Sequence, residues 1–286
     1  MDKIEIAHAF YLNQKYGKAI SWFSQSIEDD PENAEAYQGR SLCYLETLQV
    51  NLALKDLGEA IRLEPDNYGF YHERARIYIA QLRHKEAIQD LEKALNFSPH
   101  EYDILVDYVL LNLELKNYHV AQEAVDHLFR TYPEEEYVVR IVADVRMELK
   151  DFTGAESLYC SLLSSKEQLD SLFYNNYGYI LAKLGKSHEA ISYFDKSIEL
   201  DPAFAFPYDN RGLCKFMLGD TEGGMKDIHD SLVLDPSNSY AYKNKGIIHK
   251  NQGEYDLARE SFLWAEELGY AEDYDDEVKQ LLTGLK

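Results

Sequence analysis

Basic side chains are in short supply: 29 lysines and arginines stand against 51 aspartates and glutamates, a formal net charge of −22. Nucleic-acid binding needs a basic stripe that releases counterions from phosphates, and no such stripe is visible. An acidic membrane surface is disfavoured on the same ground, whereas a basic peptide or protein is the partner this charge would steer. Acidity also keeps a protein soluble without any partner. Cysteine is scarce too. Cys43, Cys160 and Cys214 are odd in number and spread without metal or disulfide spacing, so they are expected to be reduced, mostly buried thiols. No stretch approaches the roughly 20 apolar residues of a membrane span. Asp2 and Glu5 interrupt any apolar run at the start, so no signal-peptide pattern is present and a cytoplasmic location is expected.

Catalytic constellations are missing as well. His188–Glu189 begins like a zinc-protease helix, but Ser192 stands where the second histidine must be. His119 and His127 lie too far apart on one helix to act as an i, i+4 metal pair. The segment Gly219–Gly224 lacks the lysine and hydroxyl residue of a phosphate loop, and no cysteine has a histidine placed to form a nucleophile pair. No enzyme activity, cofactor or metal site is expected.

What is present is periodicity. The stretch Tyr174–Pro202 reads as two short amphipathic helices joined by a turn at Gly185–Ser187, with Pro202 ending the second. Pro31, Pro65, Pro99 and Pro133 lie 34 residues apart, as do Pro202 and Pro236. In the same phase, the second helix of each pair carries Ala19, Ala53, Ala87, Ala121, Ala155, Ala190, Gly224 and Ala258. Four residues later a large side chain returns as Phe23, Leu57, Leu91, Val125, Tyr159, Phe194, Ile228 and Phe262. The first helix of each pair carries Ala7, Ser41, Ala75, Val109, Ala143, Gly178, Gly212 and Gly246. Small residues there let two helix backbones approach, and the large neighbour fills the adjacent groove.

A 34-residue helix–turn–helix unit with this alternation resembles the tetratricopeptide repeat, over nearly the whole chain. The resemblance departs from the family pattern in places. Tyr37, Tyr71, Tyr174, Tyr208 and Tyr242 stand where the family has tryptophan, Asn112 and Arg146 replace an aromatic, and Glu167 stands at the fifth unit's missing proline. The tyrosines are expected to pack with their hydroxyls at the surface. The fold expected from the resemblance is all-α, a right-handed α–α superhelix in which each unit contacts only its neighbours. Eight units are assigned at about 1–33, 34–67, 68–101, 102–135, 136–170, 171–204, 205–238 and 239–270. The polar segment Ser164–Asp170 is the expected site of a change in pitch. A capping helix is expected over 271–286: Asp273, Asp275, Asp276 and Glu277 suit a helix N-terminus, and Val278, Leu281, Leu282 and Leu285 form one apolar stripe.

The resemblance also implies that the first helix of each pair lines a concave surface where an extended peptide or protein segment lies. In units six to eight the candidate groove residues are Asn175, Asn176, Tyr179, Phe206, Asn210, Leu213, Phe216, Met217, Tyr240, Lys243, Asn244 and Asn251, with Leu172 beside them. Asn176, Asn210 and Asn244 are spaced by 34 and are expected to form a ladder. A carboxamide both donates and accepts, which suits peptide backbone whatever its side chains. In the earlier units Glu35, Glu46, Glu73, Asp103, Asp107, Glu114, Asp144 and Glu148 would make the inner wall acidic, so the ligand is expected to be basic or mixed basic–apolar. The two-carboxylate clamp with which some members of this family hold chaperone C-termini is absent, because Asp144 and Phe206 stand where it needs asparagine and lysine, leaving Arg140 with Asn176. The expected role is therefore a non-catalytic interaction scaffold. The alternative is self-association through an uncapped first unit.

Overall fold

In the computed structural model, which describes residues 2–164, 169–270 and 277–285, the described residues form helices and turns without a strand. Among the described residues seventeen helices follow in chain order: α1 (Lys3–Leu12), α2 (Tyr16–Asp29), α3 (Ala34–Glu46), α4 (Val50–Leu63), α5 (Tyr68–Ala80), α6 (His84–Phe97), α7 (Tyr102–Glu114), α8 (Tyr118–Thr131), α9 (Glu136–Glu148), α10 (Phe152–Leu162), α11 (Ser171–Lys183), α12 (Ser187–Leu200), α13 (Phe206–Met217), α14 (Thr221–Leu234), α15 (Ser239–Asn251), α16 (Tyr255–Glu267) and α17 (Glu277–Thr283). No described helix is long and apolar enough to cross a membrane. Glu167, much of the segment Ser164–Asp170, and Asp273, Asp275 and Asp276 lie outside the described residues.

Helix starts follow from the residue types at the joints. Asn33 accepts from the Ala36 N–H at 2.9 Å, Asp170 from Phe173 at 2.7 Å and Asn238 from Tyr240 at 3.1 Å, each capping the first helix of a pair. The turn inside each hairpin needs one residue in the left-handed region. Gln14, Leu48, Leu82, Lys116 and Lys150 adopt it at φ 56° to 63°, and glycine takes over at Gly185, Gly219 and Gly253. The tyrosine that replaces tryptophan does more than pack. Tyr71 donates its hydroxyl to the Pro65 carbonyl at 2.9 Å, and Tyr208 does the same to Pro202 at 3.1 Å, tying each helix to the preceding proline turn.

The chain divides into two compact units, residues 1–138 and 139–286. In each, consecutive helices pack as antiparallel hairpins on their sequence neighbours, as the short connections require. The repeating large residues of the second helices are the core: Phe23, Leu57, Leu91, Val125, Tyr159, Phe194 and Phe262 are fully enclosed, and Ile228 nearly so. Their partners of small volume set how closely the helices approach. A Cβ added at Gly246 would lie 2.5 Å from the Phe262 ring, and one at Gly178 would lie 2.7 Å from Phe194. In α13 and α14 both contact residues are glycine, and a Cβ on either would meet the other's carbonyl oxygen at 2.7 Å. In the second unit Val278 and Leu285, with Leu281 and Leu282, pack on Ala258, Phe262, Ala265 and Tyr270, so α17 covers the last hairpin. Cys43 and Cys214 are buried and their thiols are pushed up to about 11 by desolvation, whereas Cys160, near the end of a hairpin helix, is exposed.

Candidate functional site

The first helices of the hairpins stack on one another, and the polar residues along them are paired in a regular way. A residue on one helix bonds the residue 35 positions later on the next: Gln38 Nε2 donates to Glu73, Asn210 Nδ2 to Asn175 Oδ1 at 3.2 Å, and Asn244 Nδ2 to Asp209 Oδ2 at 2.8 Å. His72 and Asp107 are 2.9 Å apart in the same relation. The offset is one repeat plus one residue, which is what stacking equivalent helices in phase produces.

In the second unit this pairing becomes a row. Tyr159 on α10 donates its hydroxyl to Asp144 on α9, and the Asn176 carboxamide on α11 lowers the proton affinity of both groups. Burial raises the Asp144 carboxyl above its ordinary range, and burial beside Asp144 raises the Tyr159 phenol. Asn175 Nδ2 then donates to Asn176 Oδ1 at 3.3 Å, and Asn210 on α13 continues the row to Asn175. Arg140, the only clamp-like cation of the sequence, is held at the N-terminus of α11, where its Nη2 donates to both carboxylate oxygens of Asp170 at 2.9 and 3.0 Å.

The expected groove residues divide into three groups. Asn176, Tyr179, Phe206, Asn210, Leu213 and Tyr240 are half-buried, and Met217 is 67% exposed. Phe206 meets Tyr240 edge-on at 5.9 Å, and Tyr240 meets Tyr270 at 5.3 Å, so an aromatic row runs beside the carboxamides. Three residues do not line open surface. Asn175, Lys243 and Asn244 are buried, because their polar atoms are taken up by the adjoining helices: Lys243 Nζ donates to Tyr270 Oη at 2.9 Å and lies 3.4 Å from Glu277. The expected ladder therefore stops at Asn210, with Asn244 facing inward. Phe216 packs on Ile228 in the hairpin core instead of the groove, and Asn251 donates to the Ile247 carbonyl of its own helix at 2.8 Å.

One recurrent device escaped the sequence reading. Arg40, Arg74 and Arg211 each form a bidentate pair with the aspartate 16 residues on, Asp56, Asp90 and Asp227, at 2.7–2.8 Å. The 34-residue spacing of Arg40 to Arg74 and of Asp56 to Asp90 was the available signal. These pairs pin the two helices of a hairpin together, and their buried carboxylates are not free to meet a ligand.

No described group of histidine, cysteine and carboxylate side chains is arranged to hold a metal ion. What the fold and the pairing define is an all-helical repeat array presenting the first helices of its hairpins. Residues 68–101 and 172–204 match the family profile described as the tetratricopeptide repeat, so the chain carries repeats of that family in both of its units. Among solved structures, it is similar to a tetratricopeptide repeat protein from Parabacteroides merdae, at 23% identity over 87% of this chain and 97% of that one, with a TM-score of 0.69. It is similar also to the C-terminal part of a repeat-containing protein from Cytophaga hutchinsonii, at 18% identity over 84% and 98% of the two chains, TM-score 0.62. A third is pilF of Pseudomonas aeruginosa, at 18% identity over 70% and 90%, TM-score 0.58. No curated protein matches the chain. At these identities the likeness is one of fold.

Proposed function

We propose that this chain is a non-catalytic scaffold that holds an extended segment of another protein against α11 and α13 of its second unit. Repeat arrays of this family are protein–protein interaction scaffolds in general. The observation that carries the finer reading is the row of Asn176, Asn175 and Asn210, half-exposed at both ends and flanked by the exposed side chains of Leu172 and Met217 and by the Phe206–Tyr240 pair. Carboxamides match backbone N–H and C=O, and the aromatic and thioether side chains offer apolar seats for alternate side chains. We further propose that the segment is basic or mixed basic–apolar, since 51 aspartates and glutamates against 29 lysines and arginines favour a cationic partner.

The test is affinity capture from native extract with wild type, an Asn176→Ala/Asn210→Ala variant and a Phe206→Ala/Met217→Ala variant, helicity being checked by circular dichroism. A partner recovered with wild type should be lost at least about tenfold from both variants, the scale of one or two lost hydrogen bonds or apolar contacts. Equal recovery of the same partner by all three would remove the groove reading.

A further inference from the structure

Asp209 is a fully enclosed carboxyl of the second unit, with 0% exposure. Every group hydrogen-bonded to its carboxylate is a neutral donor: Asn238 Nδ2 and the Ser231 hydroxyl at Oδ1, 2.9 and 3.3 Å, and Asn244 Nδ2 at Oδ2, 2.8 Å. The charged groups around it come from three further helices. Lys243 on α15 is the buried cation, Glu277 stands on α17, and Lys183 at the end of α11 acts on both of them. The Lys243 ammonium is not bonded to Asp209. It donates to Tyr270 and Glu277, and Tyr270 in turn donates to Glu277 at 2.8 Å. The Lys243 ammonium is thus bonded on the Glu277 side, and its attraction for Asp209 acts without a hydrogen bond. A desolvated carboxylate with no hydrogen-bonded cation is the one that takes up a proton first. Its desolvation holds Asp209 up to about 7, against an ordinary value of 3.8.

The second observation is on Asn244. This side chain is 2% exposed, and its Oδ1 is buried with no hydrogen-bond partner among the described residues. The ionised carboxylate, an acceptor only, requires Asn244 to present Nδ2. A protonated Asp209 would present O–H at Oδ2 and require an acceptor opposite it, which the unpaired Oδ1 supplies after a half-turn of the carboxamide. The NH2 then occupies the side that Oδ1 holds now. The exchange needs one proton from solvent and gives up the long 3.5 Å contact of Asn244 Nδ2 with the Asp209 carbonyl oxygen.

We propose that Asp209 and Asn244 form a proton-operated latch between α13 and α15: proton uptake by Asp209 reverses the Asn244 carboxamide and seats the last hairpin and its covering helix more firmly. The sign follows from linkage. An acid whose folded value is raised contributes stability that is fully present below its unfolded value, near pH 4, and is lost as pH rises through about 7. Within that window the folding constant of this region changes by about tenfold per pH unit, or about 100-fold between pH 5 and 7. Asp209→Asn presents an NH2 group and a carbonyl oxygen where the protonated acid presents O–H and C=O, carries no titratable proton, and should lack this pH dependence.

The experiment is a pH titration of the full chain by NMR, following the Asp209 carboxyl carbon and the Asn244 side-chain amide, both assigned by through-bond correlation. The expected result is that both move together with a midpoint near 7. Ser231→Ala, which removes one donor to the carboxylate, should move that midpoint upward. A carboxyl carbon that stays ionised down to about pH 5, or one that titrates while the Asn244 amide stays fixed, would overturn the latch. Urea unfolding of wild type beside Asp209→Asn gives the second reading, with the stability difference expected to grow as pH rises from 5 to 7 and an unchanging difference counting against it.

Discussion

At the scale of single residues, the largest energetic stakes lie in polar groups removed from water. Asp90 is almost fully buried, and Arg74 answers it through Nε and Nη2 at 2.7 Å each. Removing one partner leaves a desolvated charge, whereas removing both leaves mainly a packing defect. We predict that Arg74→Ala lowers the stability of the first unit by about 2–3 kcal/mol, and that Arg74→Ala/Asp90→Ala is less destabilised than the sum of its single variants. A double-mutant cycle in urea checks this, and strict additivity would mean the pair is solvated in solution. Residues of this kind were the least legible in the sequence. Lys243 and Asn244 sit on the expected inner face of their helix, yet the covering helix brings Glu277 in the same repeat phase, 34 residues after Lys243, and the first helix of the preceding hairpin, α13, brings Asp209. Burial was decided by partners one repeat away, which helical periodicity within one unit does not encode. By contrast, the small and large positions of each hairpin were readable, because volume alone fixes them.

At the scale of elements, the hairpin turn is where the two halves of the sequence differ. The second unit's later turns use Gly185, Gly219 and Gly253 at positive φ, while the first unit puts Leu48 and Leu82 into the same conformation, 87% and 72% exposed. A branched side chain in the left-handed region costs roughly 1–2 kcal/mol, partly offset by the greater chain entropy of glycine in the unfolded state. Leu48→Gly/Leu82→Gly should therefore stabilise the first unit by about 1 kcal/mol, and Gly219→Ala should destabilise the second by a similar amount. Thermal or urea midpoints read both, and a loss of stability in the leucine pair would show that these side chains pack on something in solution. The Gly212–Gly224 contact gives the complementary case. Either Cβ would meet a carbonyl oxygen at 2.7 Å, and backbone cannot step aside as a side-chain tip can. Gly212→Ala is predicted to cost about 1–3 kcal/mol, whereas Gly58→Ala, with nothing within 4 Å of its Cβ and a mid-helix site, should gain about 0.5–1 kcal/mol.

At the scale of the whole chain, repeat architecture and net charge act on the same quantity. Stability in such an array is a sum of hairpins and the interfaces between neighbours, so no single distant contact holds it together. A formal charge of −22 is distributed over all of these hairpins, and like charges on successive helices repel across distances comparable with the Debye length, about 10 Å at 0.1 M salt. The attractive pairs are different in kind. Arg40–Asp56, Arg74–Asp90 and Arg211–Asp227 are bidentate and have carboxylates at most 7% exposed, so salt screens them little. The bidentate attractions are buried, whereas the surplus negative charge is not. Added sodium chloride should therefore raise the thermal midpoint, with most of the gain complete by about 0.2 M, where the Debye length has fallen below the spacing of neighbouring helices. Scanning calorimetry over a salt series measures it. A midpoint that falls with salt would show that exposed ion pairs such as Arg62–Glu59 and Arg83–Glu86 outweigh the self-repulsion, and that the acidity of this chain is structural rather than a surplus available to a basic partner.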